Sequence, residues 1–245
     1  WFNTTSSDYK TIVKVAGTWA TGNSITTARK TLGGFGTYTA ALIVAGEPGP
    51  GALTETYNGS AWTEVADLTT AAPNFGGACG TTTAGLCISG DRGGISVLNE
   101  SWNGTSWTET GDVNTGRKEA GGLGTQTAAI FAGGNPSSAL SETWDGSSWT
   151  EGSNINTARL YMAAAGTSTA GLIAGGSTTE TETETYDGSS WTEVADLSTG
   201  RGELSSSINA PSTFTLVFGG SPPTTGKTEI WDGSSWTEVA DLATA

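Results

Sequence analysis

The chain has 245 residues, with 10 Lys and Arg against 24 Asp and Glu, a formal net charge of −14 and no His. Charged residues make up 14%, against about 25% in an average domain. That composition argues against a coiled coil or long-helix protein. The negative charge repels nucleic acid and anionic membrane surfaces at long range, so neither is an expected partner.

No apolar run reaches the roughly 18 residues of a membrane span. The first ten residues, WFNTTSSDYK, lack the basic and apolar regions of a signal peptide, and the expectation is a segment of a longer chain. No G-X-Y period runs through the 37 Gly, which excludes collagen.

Internal repetition organises everything else. A segment close to SSWTEVADL recurs around Trp62, Trp107, Trp149, Trp191 and Trp236, with a weaker copy at Trp19, in steps of 43, 45, 42, 42 and 45 residues.

In chain order, residues 1–29 predict an N-terminal segment and one hairpin, YKTIVKVAGTWATGNSI. Five four-stranded units follow, at about 30–72, 73–117, 118–159, 160–201 and 202–245. The fourth is the plainest: MAAAGTST, AGLIAGG, TETETYDG and SSWTEVADL. Its first two strands are small and apolar, suited to burial on both faces. The last two alternate Thr with Glu or an aromatic, suited to an outer position. Each outer hairpin turns at Asn-Gly or Asp-Gly between two aromatics five residues apart, a strong hairpin signal because both residues tolerate positive φ. Nothing shows helical periodicity with caps.

A four-stranded unit repeating every 42 to 45 residues predicts an all-β propeller of antiparallel blades. Five complete blades and an N-terminal half blade allow two closures. The preferred one is a six-slot ring whose closing blade takes its outer hairpin from the N-terminus. The alternative is a five-blade ring.

The pairs Gly133-Gly134, Gly175-Gly176 and Gly219-Gly220, with an aromatic before each turn and Trp after it, give the resemblance to kelch and galactose-oxidase-like propellers. Blades one and two depart from it, with Ala45-Gly46 and Ser89-Gly90. The resemblance implies the fold and is almost silent on function.

Three regular features invite chemistry. Glu55, Glu100, Glu142, Glu184 and Glu229 precede their Trp by seven residues, and Glu64, Glu109, Glu151, Glu193 and Glu238 follow it by two. Paired across the hairpin, like charges would face each other. A bulge, Lys or solvent, or a bound cation would relieve them. Arg29, Arg117, Arg159 and Arg201 follow their Trp by ten residues, with Ala72 at that place in blade one. They are either structural or a ring of cations at the channel mouth. Cys79 and Cys87 are either buried thiols or a cross-strand disulfide.

Without His there is no imidazole base, Ser-His-Asp triad or imidazole metal site. No catalytic residue, metal or cofactor is expected. The loops between strands two and three vary in length and chemistry, from GEPGPGAL to GGSPPTTGK, while the other turns are nearly constant. In repeat proteins such variation marks the binding face. The candidate ligand-binding residues are therefore Asp91, Arg92, Arg117, Lys118, Arg159, Arg201 and Lys227.

The near-identical Thr-, Ser- and Gly-rich repeats and the WFNTTSSDYK segment resemble tail-fibre and other appendage proteins of bacteriophages. That resemblance implies a non-enzymatic virion or extracellular protein. Its partners would be other virion or fibre proteins and a host surface glycan or receptor. The alternative is a secreted or surface-attached bacterial carbohydrate-binding propeller.

Overall fold

The computed structural model describes Phe2, Asn3, Asp8, Tyr9, Trp19, residues 22–177 and residues 180–243. A short antiparallel pair, β1 (Phe2–Asn3) and β2 (Asp8–Tyr9), stands apart from five four-stranded antiparallel sheets. Blade one is β3 (Gly33–Thr37), β4 (Ala40–Val44), β5 (Thr54–Tyr57) and β6 (Trp62–Glu64). Blade two is β7 (Asn74–Thr81), β8 (Ala84–Asp91), β9 (Ile95–Trp102) and β10 (Trp107–Thr110). Blade three is β11 (Gly121–Thr125), β12 (Ala128–Ala132), β13 (Ser141–Trp144) and β14 (Trp149–Glu151). Blade four is β15 (Ala163–Thr167), β16 (Ala170–Gly176), β17 (Glu180–Tyr186) and β18 (Trp191–Val194). Blade five is β19 (Ser205–Ser206), β20 (Thr215–Phe218), β21 (Thr228–Trp231) and β22 (Trp236–Val239). No helix occurs among the described residues.

The blades form a propeller ring, and the five-blade closure is the one observed, in place of the preferred six-slot ring. The N-terminal hairpin on which six slots depended lies largely outside the described residues. Its Trp19 stacks on Phe218 of blade five, centroids 5.1 Å apart. Blade five also reaches across the axis through its long turn between strands one and two. Asn209 there accepts from Gly36 N at 2.9 Å and donates to Gly80 O at 2.8 Å, tying blade five to blades one and two.

The first strands surround the axis, where space is shortest, and this explains their Gly and Ala. A Cβ on Gly122 would stand 2.7 Å from Ala78 N of the neighbouring blade. The cores lie between blades. Leu42 and Val44 of blade one pack with Ala78, Cys87, Trp102 and Trp107 of blade two. Leu86 and Ile88 then meet Phe131, Trp144 and Trp149, and the pattern continues round the ring. The hairpin aromatics pair as expected, with Trp102–Trp107 and Tyr186–Trp191 centroids 5.3 and 5.0 Å apart. In blades two and five the second Trp also crosses to the preceding blade: Trp107 Nε1 donates to Thr54 Oγ1 and Trp236 Nε1 to Thr183 Oγ1, both at 3.0 Å.

Two sequence departures resolve here. Ala45 and Ser89, standing where other blades have the first Gly of Gly-Gly, adopt the same left-handed backbone, at φ +69° and +58°. Cys79 pairs with Leu86 and Cys87 with Ala78, and the two sulfurs enter different inter-blade cores. Both are free thiols, and burial pushes each up to about 12.

Candidate functional site

The glutamates do face each other directly: Glu55 opposite Glu64, Glu100 opposite Glu109, Glu142 opposite Glu151, Glu184 opposite Glu193 and Glu229 opposite Glu238. No bulge offsets them. The inner member of each pair is buried and bonded to a guanidinium, while the outer member is exposed. Arg117 Nη1 donates to Glu142 Oε1 at 2.8 Å and Arg201 Nη1 to Glu229 Oε1 at 2.7 Å. Arg29 bonds Glu55 and Arg159 bonds Glu184 in the same way. Backbone N–H groups of the inter-blade link complete the carboxylate shell, as Asn114 and Thr115 do on Glu142, at 2.6 and 3.2 Å. For Glu55, burial alone would raise the carboxyl, but the Thr26 N–H and the Arg29 guanidinium outweigh it and hold it below its ordinary value.

This overturns four of the candidate ligand residues. Arg117, Arg159 and Arg201 are 0 to 1% exposed and clamp strand three to the preceding link. They form no ring of cations at the channel mouth. Arg92 does the same work in blade two, where the link carries Ala72. Its Nη1 donates to Glu100 Oε1 at 2.8 Å and also bonds Thr70 O. The charged shell needs its cation, and the chain supplies it from a loop instead of a link.

The other three candidates lie at the surface. Asp91 Oδ1 accepts from Gly93 N and Gly94 N at 3.2 and 2.9 Å. The Gly94 N–H is the main cause of its lowered carboxyl. Lys118 Nζ lies 3.4 Å from Asp91 Oδ2 and 3.8 Å from Glu119 Oε1. Lys227 stands away from the axis and bonds Thr199 Oγ1 and Glu238 Oε2 at 3.2 and 3.1 Å. The structure thus brings Asp91 and Lys118 together and leaves Lys227 apart.

A cup of about 650 Å³ lies on the propeller axis. That volume falls in the range of small-ligand pockets. Residues from all five blades line it in tiers set by the repeat. Twelve residues after each Trp stand Thr31, Asn74, Glu119, Tyr161 and Glu203, at the mouth. One residue further stand Leu32, Phe75, Ala120, Met162 and Leu204, an apolar belt. Below lie small residues such as Gly122, Ala164 and Ser206, and Ile208 from the blade-five turn.

The mouth is built by backbone bonds passed from blade to blade. Glu119 N donates to Phe75 O at 3.1 Å, Tyr161 N to Glu119 O at 2.8 Å and Glu203 N to Tyr161 O at 3.0 Å. Thr31, Glu119, Tyr161 and Glu203 all have left-handed backbones, with φ from +53° to +59°. Each such residue costs about 1–2 kcal/mol relative to right-handed geometry, and the inter-blade bonds hold it there. On the side chains, Glu119 accepts from Asn74 Nδ2 at 3.1 Å and from Asn135 Nδ2 at 3.0 Å. Burial, the bond to Glu119 and the charges of Glu119 and Glu203 together push the Tyr161 phenol up to about 12.

The strand two-to-three loops open beside this mouth, as their sharing of a face with the links requires. Lys30 bridges to Glu47, Lys118 to Asn135 and Gly202 to Ser221. Sequence reasoning placed these loops and the links on one face but missed the mouth residues. Their signal was available: position Trp plus twelve carries Thr, Asn, Glu, Tyr and Glu in turn, between an Arg position and an apolar one that recur. Among the described residues, no group of three or more His, Cys, Asp or Glu is placed to hold a metal ion. No protein-family model and no curated protein matches the chain.

Proposed function

We propose that this propeller is a non-enzymatic display and recognition module of a virion appendage, a tail fibre or similar part, that contacts a host receptor or glycan. The observation that carries the reading is the concentration of chemical variety on one face, the blade-five turn between strands one and two apart. The strand two-to-three loops differ in every blade and four residue types stand at the five mouth positions, whereas the outer hairpins repeat almost verbatim. A frame selected for constancy with one variable face suits recognition better than catalysis.

Two further points support it. The inner glutamates, one in every blade, are committed to buried guanidinium pairs and are not free for acid–base work. The Thr-, Ser- and Gly-rich surface and the kelch-like repeat pattern resemble phage appendage propellers. The partners that follow are neighbouring virion or fibre proteins and a host surface glycan or receptor, in a virion or extracellular setting.

Attachment of the purified propeller to bacterial cells tests this. Replacing Asp91, Gly93, Gly94 and Ile95 together with Lys118, with the buried Arg92 kept, and separately the turn at Asp187 and Gly188, separates the two faces. Loss of attachment in the first variant only is expected. A folded loop variant that attaches normally, with a turn variant that does not, would place recognition on the opposite face.

A further inference from the structure

We infer that the axial cup takes an organic cation, an ammonium group carried on an apolar stem. This rests on the reading of the cup face as a recognition face and names the ligand class that the cup selects.

Charge decides the sign. Of the described residues that line the cup, Glu47, Glu119 and Glu203 are acidic and Lys30 is basic. Lys30 is paired with Glu47 at 3.4 Å and Lys118, outside the lining, stands 3.8 Å from Glu119, so Glu203 is the carboxylate that leaves the mouth negative. The arginines that would have favoured an anion are sealed inside the blades. The whole molecule, at −14, adds to the same field. Low-dielectric walls focus such a field into a cleft, so an anionic ligand meets repulsion and a cation meets attraction.

Shape decides the rest. The apolar belt of Leu32, Phe75, Met162 and Leu204 lies immediately below the carboxylates. A wholly polar cation such as a hydrated metal ion would leave that belt unused. An alkyl stem would cover it, and each buried methylene contributes about 0.8 kcal/mol. The wall also offers an acceptor, the Glu203 carboxylate, exposed at the mouth. An ammonium brings three donors and no acceptor, the complement of a wall whose Tyr161 and Asn74 donors already point at Glu119.

The test uses n-hexylammonium, n-hexanol and n-hexanoate as cationic, neutral and anionic probes of one shape, titrated calorimetrically or by chemical-shift perturbation. Hexylammonium should bind saturably at one site per chain, hexanol at least about fivefold more weakly, and hexanoate not measurably. Glu203→Gln should weaken hexylammonium two- to fivefold, the range for an exposed charge, without changing hexanol. Ser205→Trp, which fills the cup from an exposed wall position, should abolish both.

Hexanoate or hexanol binding as tightly as hexylammonium would overturn the proposal, and so would hexylammonium binding that survives Ser205→Trp. The cell-attachment assay keeps the two claims apart. If Ser205→Trp loses the ammonium but still attaches, the cup's ligand class stands and its role in attachment falls. If it attaches poorly and the parent shows no charge preference, recognition stands and the ligand class falls.

Discussion

Arg92 stands in space where Arg29, Arg117, Arg159 and Arg201 stand by sequence. In four blades the guanidinium comes from the link before strand one. In blade two it comes from the loop after strand two, and it bonds the same carboxylate position, Glu100. A buried carboxylate without a cation is costly, and Arg92 supplies the cation that the link with Ala72 lacks. Arg92→Ala should therefore destabilise the protein by about 3 kcal/mol or more, the usual cost of breaking a buried pair, although it lies in a variable loop. Adding Ala72→Arg should recover a substantial part. Denaturant unfolding checks both, and a loss under about 0.5 kcal/mol, typical of an unimportant surface site, would make Arg92 a surface residue in effect. The equivalence was not legible in the sequence. Arg92 is 20 residues from position 72, whose role it takes, and only the fold brings the two together.

At the scale of the hairpin, the turns separate into two chemical kinds. Blades one and two turn at Asn58 and Asn103, and blades three to five at Asp145, Asp187 and Asp232. All use one side-chain oxygen to accept two backbone N–H bonds, from Ser189 and Ser190 to Asp187 at 2.8 Å each. The Gly that follows supplies the left-handed step, φ +97° at Gly188. Only the Asp turns titrate. The Ser148 and Ser190 N–H bonds lead in lowering Asp145 and Asp187 from 3.8 to about 2. A carboxylate with a depressed value contributes stability that is complete above its unfolded value and is lost as pH falls through the folded one. The window is thus 3.8 down to about 2. Asp145→Asn with Asp187→Asn should leave the melting temperature at pH 7 nearly unchanged and flatten its fall across that window. An equally steep fall in the double variant would assign acid sensitivity to other groups. The paired Trp that flanks these turns is graded by burial. Trp191 is 6% exposed and its removal to Ala should cost about 3–5 kcal/mol. Trp62, half-buried in blade one, should cost clearly less, and equal losses would show that burial does not set the scale. The pairing itself was legible, because Asn-Gly and Asp-Gly between aromatics dictate a tight hairpin and its register.

For the whole molecule, the repeat period carried the fold, since a blade cannot bury its faces without neighbours and a ring provides them. Its closure was less legible, because it depends on contacts far apart in sequence. Asn209, in the one turn that breaks the pattern, reaches Gly36 and Gly80, and no periodicity announces such a bond. The two blades at the seam differ from the rest. Leu216 and Phe218 on blade five, and Tyr57 and Trp62 on blade one, are half-buried. Their interior counterparts Ile130, Ala132 and Leu172 are fully buried. Blade five has the shortest first strand of the five, Ser205–Ser206. Where repeats are held chiefly by nearest neighbours, stability follows the weaker interface. Native-state hydrogen exchange should therefore be slowest in β11, β12, β15 and β16 and faster in β19, β20 and β3. Phe218→Ala, which removes the ring beneath Trp19, should quicken exchange in blades five and one and leave blade three at its parent rate. Blade three would be the internal standard, because its faces never meet the seam. A uniform rise through all five blades would mean that the ring opens only as a single cooperative unit, with the seam as firmly held as any other interface.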